Sequence, residues 1–296
     1  MASLREIWRE AEARLLPFWP HSARRDARLI LMMALSLSSS DFHRDANCDV
    51  NDSQRSLVQQ LVERRILGEP LQYLRGEQEF FGLQMCVGPG VLIPRPETEI
   101  LVEQALKLIP LNQPFRVADL GCGSGAVSVA LATERPLLCI EAIDISSDAL
   151  PWTNRNIQRH HVAGQVVVRH GDMVRSLQGH YDVIVSNPPY IPSGGIALLE
   201  RDVQQEPFLA LDGGLDGLDF YRAIARHVAD YLVSGGWLLL EIGDQQADAV
   251  HNIFVSAKQE RNGHTLQQHG IVLDYAGIPR VLIYRLCEQL AASLST

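Results

Sequence analysis

The residues best suited to chemistry are Asn187-Pro188-Pro189-Tyr190, which follow the apolar run Val183-Ile184-Val185 after one serine. The asparagine side chain offers a carbonyl acceptor and an NH₂ donor. Pro188 has no amide hydrogen, and its ring biases Asn187 toward an extended conformation. The Pro188 carbonyl adds an acceptor, and the Tyr190 ring adds a flat apolar wall. These groups predict a site that binds a planar NH₂ group. Both of its hydrogens would be donated to acceptors of the site, and one face of its nitrogen would stay accessible. The plainer alternative is a strand that ends in a proline-rich turn.

A second group of residues ends another predicted strand and opens an apolar helix. It comprises Asp119, Gly121, Cys122, Gly123, Ser124, Gly125 and Ala126. Glycines let the backbone turn sharply and approach a ligand closely. The spacing also satisfies the dinucleotide pattern G-x-G-x-x-A, with Asp144 following after roughly 20 residues. Asp144 ends the next predicted strand, where it can accept hydrogen bonds from ribose hydroxyls. The pattern predicts a nucleoside-containing cofactor without identifying it.

A third candidate, Gly171-Asp172-Met173, follows the third predicted strand. Asp172 can accept a hydrogen bond from an adenine amino group, and Met173 can pack on the ring. An aspartate after a strand is more often a turn former or a helix cap, so that alternative stays open.

These three groups need a parallel sheet to bring them together. Strand and helix patterns alternate from Phe115 onward, which predicts such a sheet with helices on both faces. The predicted strands are Arg116–Leu120, Cys139–Ile145, Gly164–His170, Asp182–Ser186, Trp237–Ile242, Leu266–Asp274 and Arg280–Leu286. Ligands of open α/β sheets bind at the carboxyl ends of the strands, where all three groups fall.

Residues 1 to about 75 are predicted to be helical. Ser22 can cap a helix over Ala23–Leu35, and Asp52 or Ser53 can cap a second helix that ends before Gly68-Glu69-Pro70. The intervening stretch Ser36 to Ser53 is predicted to be a polar loop.

The stretch Glu79 to Val91 predicts a short hairpin that links two domains. Arg95-Pro96-Glu97-Thr98-Glu99 follows, and an amphipathic helix is predicted from about Thr98 to Leu108. Taken alone, that pentapeptide is a helix start with acids in the first turn.

Composition is that of a globular protein: 296 residues, 46% hydrophobic and 21% charged. The amino terminus lacks the apolar segment of a secretory signal. Five scattered cysteines fit a reducing cytoplasm rather than a disulfide framework or a zinc site. The net charge of −9 falls entirely after residue 78, because residues 1–78 hold 11 basic and 11 acidic side chains. An acidic chain weakens the case for a nucleic-acid substrate.

The tetrapeptide Asn187-Pro188-Pro189-Tyr190 resembles that of S-adenosylmethionine-dependent amino-methyltransferases. With Arg95-Pro96-Glu97-Thr98-Glu99, the resemblance narrows to the release factor glutamine N5-methyltransferase family (HemK/PrmC-like). Further stretches that look like this family are Gly68–Tyr73, Glu206–Leu211, Gly213–Leu218, Tyr221–Arg222 and Leu240–Gly243. The likeness runs from about Arg24 to Tyr284. Two positions depart from it, since the family often has Thr at Cys122 and Trp at Met173.

The resemblance implies an α/β fold: a Rossmann-like seven-stranded methyltransferase domain with a small N-terminal helical domain joined by a β-hairpin. It implies a helical substrate-recognition domain at 1–78, a hairpin linker at 79–93 and a methyltransferase domain at 94–296. The implied cofactor is S-adenosyl-L-methionine, and the implied partners are class 1 peptide chain release factors. We expect a cytoplasmic monomer with no metal, no membrane contact and no direct nucleic-acid binding.

The resemblance also assigns roles to residues. The expected cofactor-binding residues are Asp119, Gly121, Cys122, Gly123, Ser124, Gly125, Asp144, Asp172, Met173 and Asn187. The expected substrate-binding residues are Asn187, Pro188, Pro189 and Tyr190, of which Asn187, Pro188 and Tyr190 are expected to be catalytic. An amide nitrogen is a poor nucleophile, and accepting both of its hydrogens fixes it and favours positive charge on it. Glu206 is a candidate general base, although a structural role in its loop is the stronger expectation.

Four other functions remain as alternatives. A related enzyme acting on a ribosomal-protein glutamine would share the active-site motifs and differ in the amino-terminal domain. An adenine-N6 methyltransferase of nucleic acid uses the same tetrapeptide, but the acidic charge counts against it. A nicotinamide oxidoreductase explains the glycine loop and not Asn187 to Tyr190. A non-enzymatic cofactor-binding scaffold does not explain why the transfer-site residues are all present.

Overall fold

A computed structural model describes residues 2–44, 48–257, 260–261 and 264–288. The chain divides into two compact units: Met1–Glu77 with Glu200–Gln205, and Gln78–Leu199 with Glu206–Thr296. The predicted 94–296 domain includes Glu200–Gln205, whereas these six residues group with the first unit. Most of the tail after Leu286, which carries no recognisable motif, lies outside the described residues. None of the helices in the described ranges is both long and apolar enough to cross a membrane.

The first unit is helical. Its helices are α1 (Leu4–Leu15), α2 (Ala23–Leu35), α3 (Ser39–Arg44), α4 (Asp52–Ile66) and α5 (Leu71–Arg75), and its two short strands are β1 (Ala2–Ser3) and β2 (Asp49–Val50). Apolar side chains of α1, α2 and α4 recur at helical spacing and form one buried core that includes Leu15, Ile30, Leu31 and Val62. The predicted polar loop Ser36 to Ser53 is therefore wrong in part, because it contains α3 and β2.

The caps of α2 and α4 differ from the prediction. Ser22 precedes α2, but its hydroxyl donates to Asp26 (3.0 Å) and makes no cap hydrogen bond to the backbone. The cap of α4 is Asn51, not Asp52 or Ser53; its Oδ1 accepts from the Gln54 amide (2.9 Å). Gln54 reaches back to the Asn51 amide, so the pair forms a capping box.

A buried ion pair joins the parts of the first unit. Arg65 and Asp26 are 2% and 0% exposed, and the Arg65 Nε donates to Asp26 Oδ2 at 3.0 Å. The Arg65 guanidinium also lies 3.5 Å from the centre of the Trp19 ring and donates to Asp202 Oδ2 at 3.2 Å. Burying a charge is costly unless it is paired, and these contacts supply the pairing. Through Arg65, Asp202 is held against α4.

The second unit contains the hairpin and the large sheet. Its helices are α6 (Thr98–Leu108), α7 (Ala126–Glu134), α8 (Leu150–Arg159), α9 (Phe208–Leu211), α10 (Asp219–His227) and α11 (Ala247–Ser256). Its strands are β3 (Glu77–Phe80), β4 (Leu83–Cys86), β5 (Phe115–Leu120), β6 (Leu138–Asp144), β7 (Val166–His170), β8 (Tyr181–Ser186), β9 (Leu232–Glu241), β10 (Glu260–Arg261), β11 (His264–Leu273) and β12 (Pro279–Glu288). The strands β3 and β4 pair across Phe81–Gly82, both with positive φ, as in a tight hairpin turn. The predicted hairpin is confirmed.

The large sheet has the order β10-β11-β12-β9-β8-β5-β6-β7 within the described residues. From β9 to β7 neighbouring strands are parallel, whereas β12 pairs antiparallel with β9 and with β11. Seven of the strands have five or more residues, so the predicted seven-stranded architecture is confirmed, with the two-residue β10 added at the edge. Separate apolar cores cover the two faces of the sheet, as expected for a doubly covered parallel sheet.

Strand order determines where the predicted site residues meet. The central strand β5 lies between β6 and β8, and both of these run parallel to it. The carboxyl ends of β5, β6 and β8 therefore sit side by side, and the chain order reverses at this point. The Ser186 hydroxyl donates to the Leu120 carbonyl at 2.7 Å, which ties the ends of β8 and β5 together.

Candidate active site

The glycine-rich turn between β5 and α7 depends on left-handed backbone conformations. Gly121, Gly123 and Gly125 have φ values of 72°, 55° and 77°, a region that residues with a Cβ rarely adopt. The amides of Gly121 and Cys122 donate to the Ile143 carbonyl at 2.8 and 3.0 Å, which fixes the turn against β6. Gly125 begins the helix, and a Cβ there would come within 2.7 Å of Thr153.

Asp144, at the end of β6, holds this turn through backbone amides. Its Oδ2 accepts from the Gly123 amide and its Oδ1 from the Ser146 amide, each at 2.8 Å. Burial raises the pKa of Asp144, partly offset by these hydrogen bonds. Because each carboxylate oxygen has a second lone-pair site, both oxygens can still accept from a ligand hydroxyl.

Asp119 lies on the same wall and is more deeply buried. It is 2% exposed and accepts a hydrogen bond from the Ser128 hydroxyl at 2.6 Å. Burial raises its pKa to about 6, and the nearby charge of Asp144 adds to that rise. A buried and a half-buried carboxylate that neighbour each other favour a cation beside them, because a positive charge stabilises both ionised forms.

Cys122 and Met173 contribute two buried apolar side chains to this wall. Cys122 is 7% exposed, its Sγ lies 3.6 Å from the Thr153 hydroxyl, and burial raises the pKa of its thiol. Met173 is 5% exposed and has a φ of 39°, an uncommon value for a residue with a side chain. Asp172, next to it, does not line the cavity and forms an ion pair with Arg175 at 3.0 Å.

The tetrapeptide after β8 contributes Asn187 to the opposite side. Its Nδ2 donates to the Thr98 hydroxyl oxygen at 3.0 Å. No donor in the described part of the chain reaches its Oδ1. Pro188 is buried, and the Tyr190 ring packs against the core beneath the loop, where burial raises its pKa to about 12.

One cavity of about 960 Å³, including its open mouth, brings these groups together. The predicted site residues on its lining are Asp119, Gly121, Cys122, Gly123, Ser124, Asp144, Met173, Asn187 and Pro189. The remaining predicted site residues, Gly125, Asp172, Pro188 and Tyr190, are not on the lining.

Two segments of the lining are not among the predicted site residues. The first runs from the end of the predicted 79–93 linker into the predicted helix start, and it supplies Gly90, Val91, Leu92, Pro94, Arg95 and Thr98. The second comprises α9 with the residue before it and the start of α10, which together supply Pro207, Leu209, Ala210 and Phe220. The available signal was the apolar run Val91-Leu92-Ile93, because apolar residues between glycine and proline turns indicate packing rather than a solvated linker. Val91 and Ile93 are buried in the structure.

Glu206 connects these two segments. It is 5% exposed, its Oε2 accepts from the Ile93 amide at 2.9 Å, and its Oε1 pairs with Arg95. Both carboxylate oxygens are thus engaged in holding one cavity wall to the other. This geometry supports the structural role expected for Glu206 and not that of a general base.

Family models match both parts of the chain. Residues 6–76 match the "PrmC N-terminal domain" model, and residues 97–201 match the "Methyltransferase small domain" model. Among solved structures, the hMettl16 catalytic domain, in complex with an RNA hairpin, is 16% identical with a TM-score of 0.53. That likeness covers 76% of this chain and 81% of the other, and it shows a shared methyltransferase fold.

Curated relatives are similar over nearly the whole chain. The release factor glutamine methyltransferase of Coxiella burnetii is 39% identical over 88% of this chain and 91% of its own length. The enzyme of the same description from Moorella thermoacetica is 38% identical over 96% of this chain and 99% of its own length. Identity of this degree over both units shows that the chain belongs to the release factor glutamine methyltransferase family.

Proposed function

We propose that this chain transfers a methyl group from S-adenosyl-L-methionine to the side-chain amide nitrogen (N5) of a glutamine. The target is the glutamine of the Gly-Gly-Gln motif in class 1 peptide chain release factors. The observation that carries this proposal is the single cavity lined both by the glycine turn with Asp144 and by Asn187. Membership of the family supports the same substrate and cofactor.

The residues present fit S-adenosylmethionine. Gly121 and Gly123 have the left-handed backbone conformation that favours glycine. Few atoms lie close to the position that a Cβ would take at either residue. A ligand can therefore lie directly against the main chain of this turn. Asp119 and Asp144 give that wall a negative charge, which suits a cofactor with an ammonium and a sulfonium group. Apolar Ile145 and Met173 line the part of the cavity near the end of β6 and suit a flat base.

We assign binding roles accordingly. Asp144 would accept from the ribose hydroxyls, the glycine turn and Asp119 would hold the methionine portion, and Met173 would pack on the adenine. Asp172 remains the expected acceptor for the adenine amino group, although it is not on the cavity lining and its Oδ2 pairs with Arg175. When bound, the cofactor supplies an electrophilic methyl group on a positively charged sulfur.

The tetrapeptide would prepare the nucleophile. Asn187 Oδ1 would accept one hydrogen of the substrate NH₂ group, and the Pro188 carbonyl would accept the other. These two acceptors fix the nitrogen and stabilise positive charge that develops on it during transfer. Pro189 would line the path of the substrate side chain, and the Tyr190 ring would support the loop from beneath. The proton that the methylated nitrogen loses can pass to water, because a protonated amide is a strong acid.

The remaining expectations about partners stay part of this proposal. We infer a monomer that binds release factors through residues 1–78 and does not bind nucleic acid directly. The net charge of −9 supports the last point, since phosphate-binding proteins carry a basic excess. A cytoplasmic location follows from a release-factor substrate and fits the five free cysteines.

The proposal is tested with labelled S-adenosylmethionine. The purified protein is incubated with the label and a bacterial extract, and separately with a purified class 1 release factor. We expect label in a protein of release-factor mass, and mass spectrometry should find one added methyl on the Gly-Gly-Gln glutamine. Label in a ribosomal protein or in nucleic acid would replace the proposal with one of its alternatives.

The role of Asn187 is tested by substitution. Loss of one preorganised partner of this kind costs about 10²–10³ in rate, so Asn187→Ala should lose that much kcat while remaining folded. Asn187→Asp keeps an acceptor and places a negative charge near a cationic cofactor, although the carboxylate must be desolvated. We expect it to retain more activity than Asn187→Ala. Wild-type activity in Asn187→Ala would remove Asn187 from the mechanism.

A further inference from the structure

Two arginines stack on an aromatic pair at the surface of the first unit. The rings of Trp8 and Phe42 meet edge to face, with their centres 5.4 Å apart. The guanidinium of Arg24 lies 4.9 Å from the centre of the Trp8 ring, and that of Arg28 lies 5.5 Å from the centre of the Phe42 ring. The two arginines are four residues apart on α2 and therefore share one face of that helix. Stacking on the rings restricts where both guanidinium groups can lie.

Neither arginine has an acidic partner among the residues that the structure describes. Arg28 donates to the hydroxyl of Ser39, while its Nε is buried and has no acceptor. Arg24 is exposed and makes no ion pair within the described ranges. Other arginines of the same unit do pair with acids, namely Arg14, Arg55, Arg64 and Arg65. The two stacked guanidinium groups therefore keep hydrogen-bond donors that an anion from outside the chain can use.

Both stacked arginines line an open pocket of the first unit. Trp8, the exposed Arg25 and one acid, Glu12, lie on the same lining. Arg25 pairs with Asp26 at 3.2 Å, but it shares that buried carboxylate with Arg65. Residues 1–78 hold 11 basic and 11 acidic side chains, so a pocket with three arginines and one acid concentrates positive charge in a balanced unit.

The position of these arginines in α2 also favours an anion. Arg24 and Arg25 lie in the first turn, where the helix dipole favours acidic side chains and disfavours basic ones. The helix by itself gives no reason for two cations in this turn. A carboxylate bound in the pocket would be attracted by the guanidinium groups and by the dipole together.

We propose that this pocket is a docking site for an acidic segment of the protein substrate, whose carboxylates pair with Arg24 and Arg28. The inference rests on the proposed function for the identity of that substrate, a class 1 release factor. Arginine suits the role because its planar fork can donate two parallel hydrogen bonds to one carboxylate. The partly exposed ring of Trp8 adds an apolar surface beside the charged groups.

The distribution of charge favours a protein segment over RNA. Surfaces that bind a phosphate backbone neutralise many phosphates and carry a broad basic excess. Here the positive charge is concentrated in one pocket, and the chain as a whole carries a net charge of −9. A few carboxylates match such a pocket, whereas a phosphate backbone would extend beyond it and meet the acidic side chains of the same unit.

Removal of the two cations tests the site in the full-length chain. Arg24→Gln/Arg28→Gln keeps polar side chains of good helix propensity and should raise KM for intact release factor by at least about tenfold. Turnover at saturating substrate should stay within about twofold, because the lost contacts bind substrate and transition state alike. KM for a short Gly-Gly-Gln peptide and the dissociation constant for S-adenosylmethionine should not change. Arg5→Gln/Arg9→Gln is the matched control, since it removes two exposed arginines of α1 that do not line the pocket.

An oligoglutamate peptide tests the chemical class of the partner. We expect it to inhibit methylation of intact release factor by the wild type competitively and to leave methylation of the short peptide unchanged. Added salt should weaken the inhibition, because it screens charges at an open surface. Arg24→Gln/Arg28→Gln should be insensitive to oligoglutamate. Stronger inhibition by oligouridylate of the same length would overturn the inference in favour of an RNA partner.

Two results separate this site from the proposed function. Wild-type KM for intact release factor in a folded Arg24→Gln/Arg28→Gln variant would overturn the inference and leave the function standing. Absence of inhibition of the wild type by oligoglutamate would overturn it as well, and this measurement does not depend on the folding of a variant. Failure of the wild type to methylate release factor would instead reject the proposed function. Fluorescence anisotropy of labelled oligoglutamate would then still test whether the pocket binds carboxylates.

Discussion

At the scale of single residues, the cavity wall combines two carboxylates, whose ionised forms are disfavoured by burial, with the exposed main chain of the glycine turn. Asp119 and Asp144 both have raised pKa values because they are removed from water. Such a pair is unfavourable in the free protein, and a cationic ligand relieves it. Cofactor binding should therefore depend strongly on these two carboxylates, and differently on each.

Replacing Asp144 with alanine should weaken S-adenosylmethionine binding by at least about tenfold. Hydrogen bonds to charged groups contribute about 1.5–3 kcal/mol, and about 1.4 kcal/mol is tenfold in affinity. The variant also loses the acceptors that hold the Gly123 and Ser146 amides, which adds to the effect. Titration calorimetry measures the affinity, with the exposed Asp230→Ala as control. Unchanged affinity in Asp144→Ala would exclude this residue from the cofactor site.

Asp119 should make cofactor affinity depend on pH. Its pKa of about 6 in the free protein should fall when a cation binds beside it, so binding releases a proton near that pH. Affinity should therefore rise from about pH 5 to about pH 7 and then level off. Calorimetry in buffers of different ionisation enthalpy counts the released protons. Asp119→Asn should bind with no such pH dependence, and a flat wild-type profile would contradict the prediction.

At the scale of elements, the loop that contains Gly213 is hydrogen bonded to the chain directly after the tetrapeptide. The Gly213 amide donates to the Ile191 carbonyl at 2.8 Å, and the Ile191 amide donates to the Leu211 carbonyl at 3.1 Å. A Cβ on Gly213 would come within 2.8 Å of the Pro189 carbonyl oxygen and within 2.9 Å of Gly217. Glycine is required there because two stretches of main chain lie against each other. The family-like glycine loop thus positions the tetrapeptide.

Gly213→Ala should impair both stability and transfer. The new methyl group meets backbone, which cannot turn aside, and overpacking of this kind costs about 1–3 kcal/mol. The melting temperature should fall, and kcat should fall further than stability explains, because the Pro188 carbonyl is displaced. Gly194→Ala is the matched control, since nothing lies within 4 Å of its added Cβ. Equal melting temperature and kcat in the two variants would show that the close approach is unimportant.

Elements with a strong local pattern were predictable from sequence, and contacts between distant elements were not. The bounds of α2 and α6 and the order of strand-forming segments follow from helical and strand periodicity and from turn residues. Asp144 was predictable because its spacing from the glycine turn is a local rule. Thr98 meets Asn187 only through the packing of α6 against the sheet, so no local spacing identifies their contact. The cap of α4 was missed because Asn51, Asp52 and Ser53 all have capping side chains.

At the scale of the whole molecule, the chain separates cofactor chemistry from a helical unit with its own core. Every residue that lines the cavity lies between Gly90 and Phe220 and belongs to the second unit. The first unit has a separate apolar core, a buried Arg65–Asp26 pair and the returning segment Glu200–Gln205. This division predicts that the first unit contributes to recognition of the protein substrate and not to the cofactor site.

A chain shortened to begin at Glu79 should retain the cofactor site and lose efficient use of intact release factor. Its affinity for S-adenosylmethionine should stay within about threefold, whereas kcat/KM on intact release factor should fall by at least about tenfold. A short peptide with the Gly-Gly-Gln sequence should be methylated equally by both chains, because it makes only the contacts of the cavity. Stabilisation of the shortened chain by cofactor in a thermal melt shows that it is folded.

A substitution in the full-length chain tests the same division without a deletion. Arg65→Met removes the cation from a buried pair and leaves the Asp26 carboxylate uncompensated, which costs about 3–5 kcal/mol in comparable cases. The first unit should therefore melt at a lower temperature, while cofactor affinity and peptide methylation stay at wild-type values. Above that melting temperature, methylation of intact release factor should decline before peptide methylation does. Parallel decline of both activities would mean that the cavity depends on the first unit directly, and undiminished activity on intact release factor would exclude the first unit from recognition.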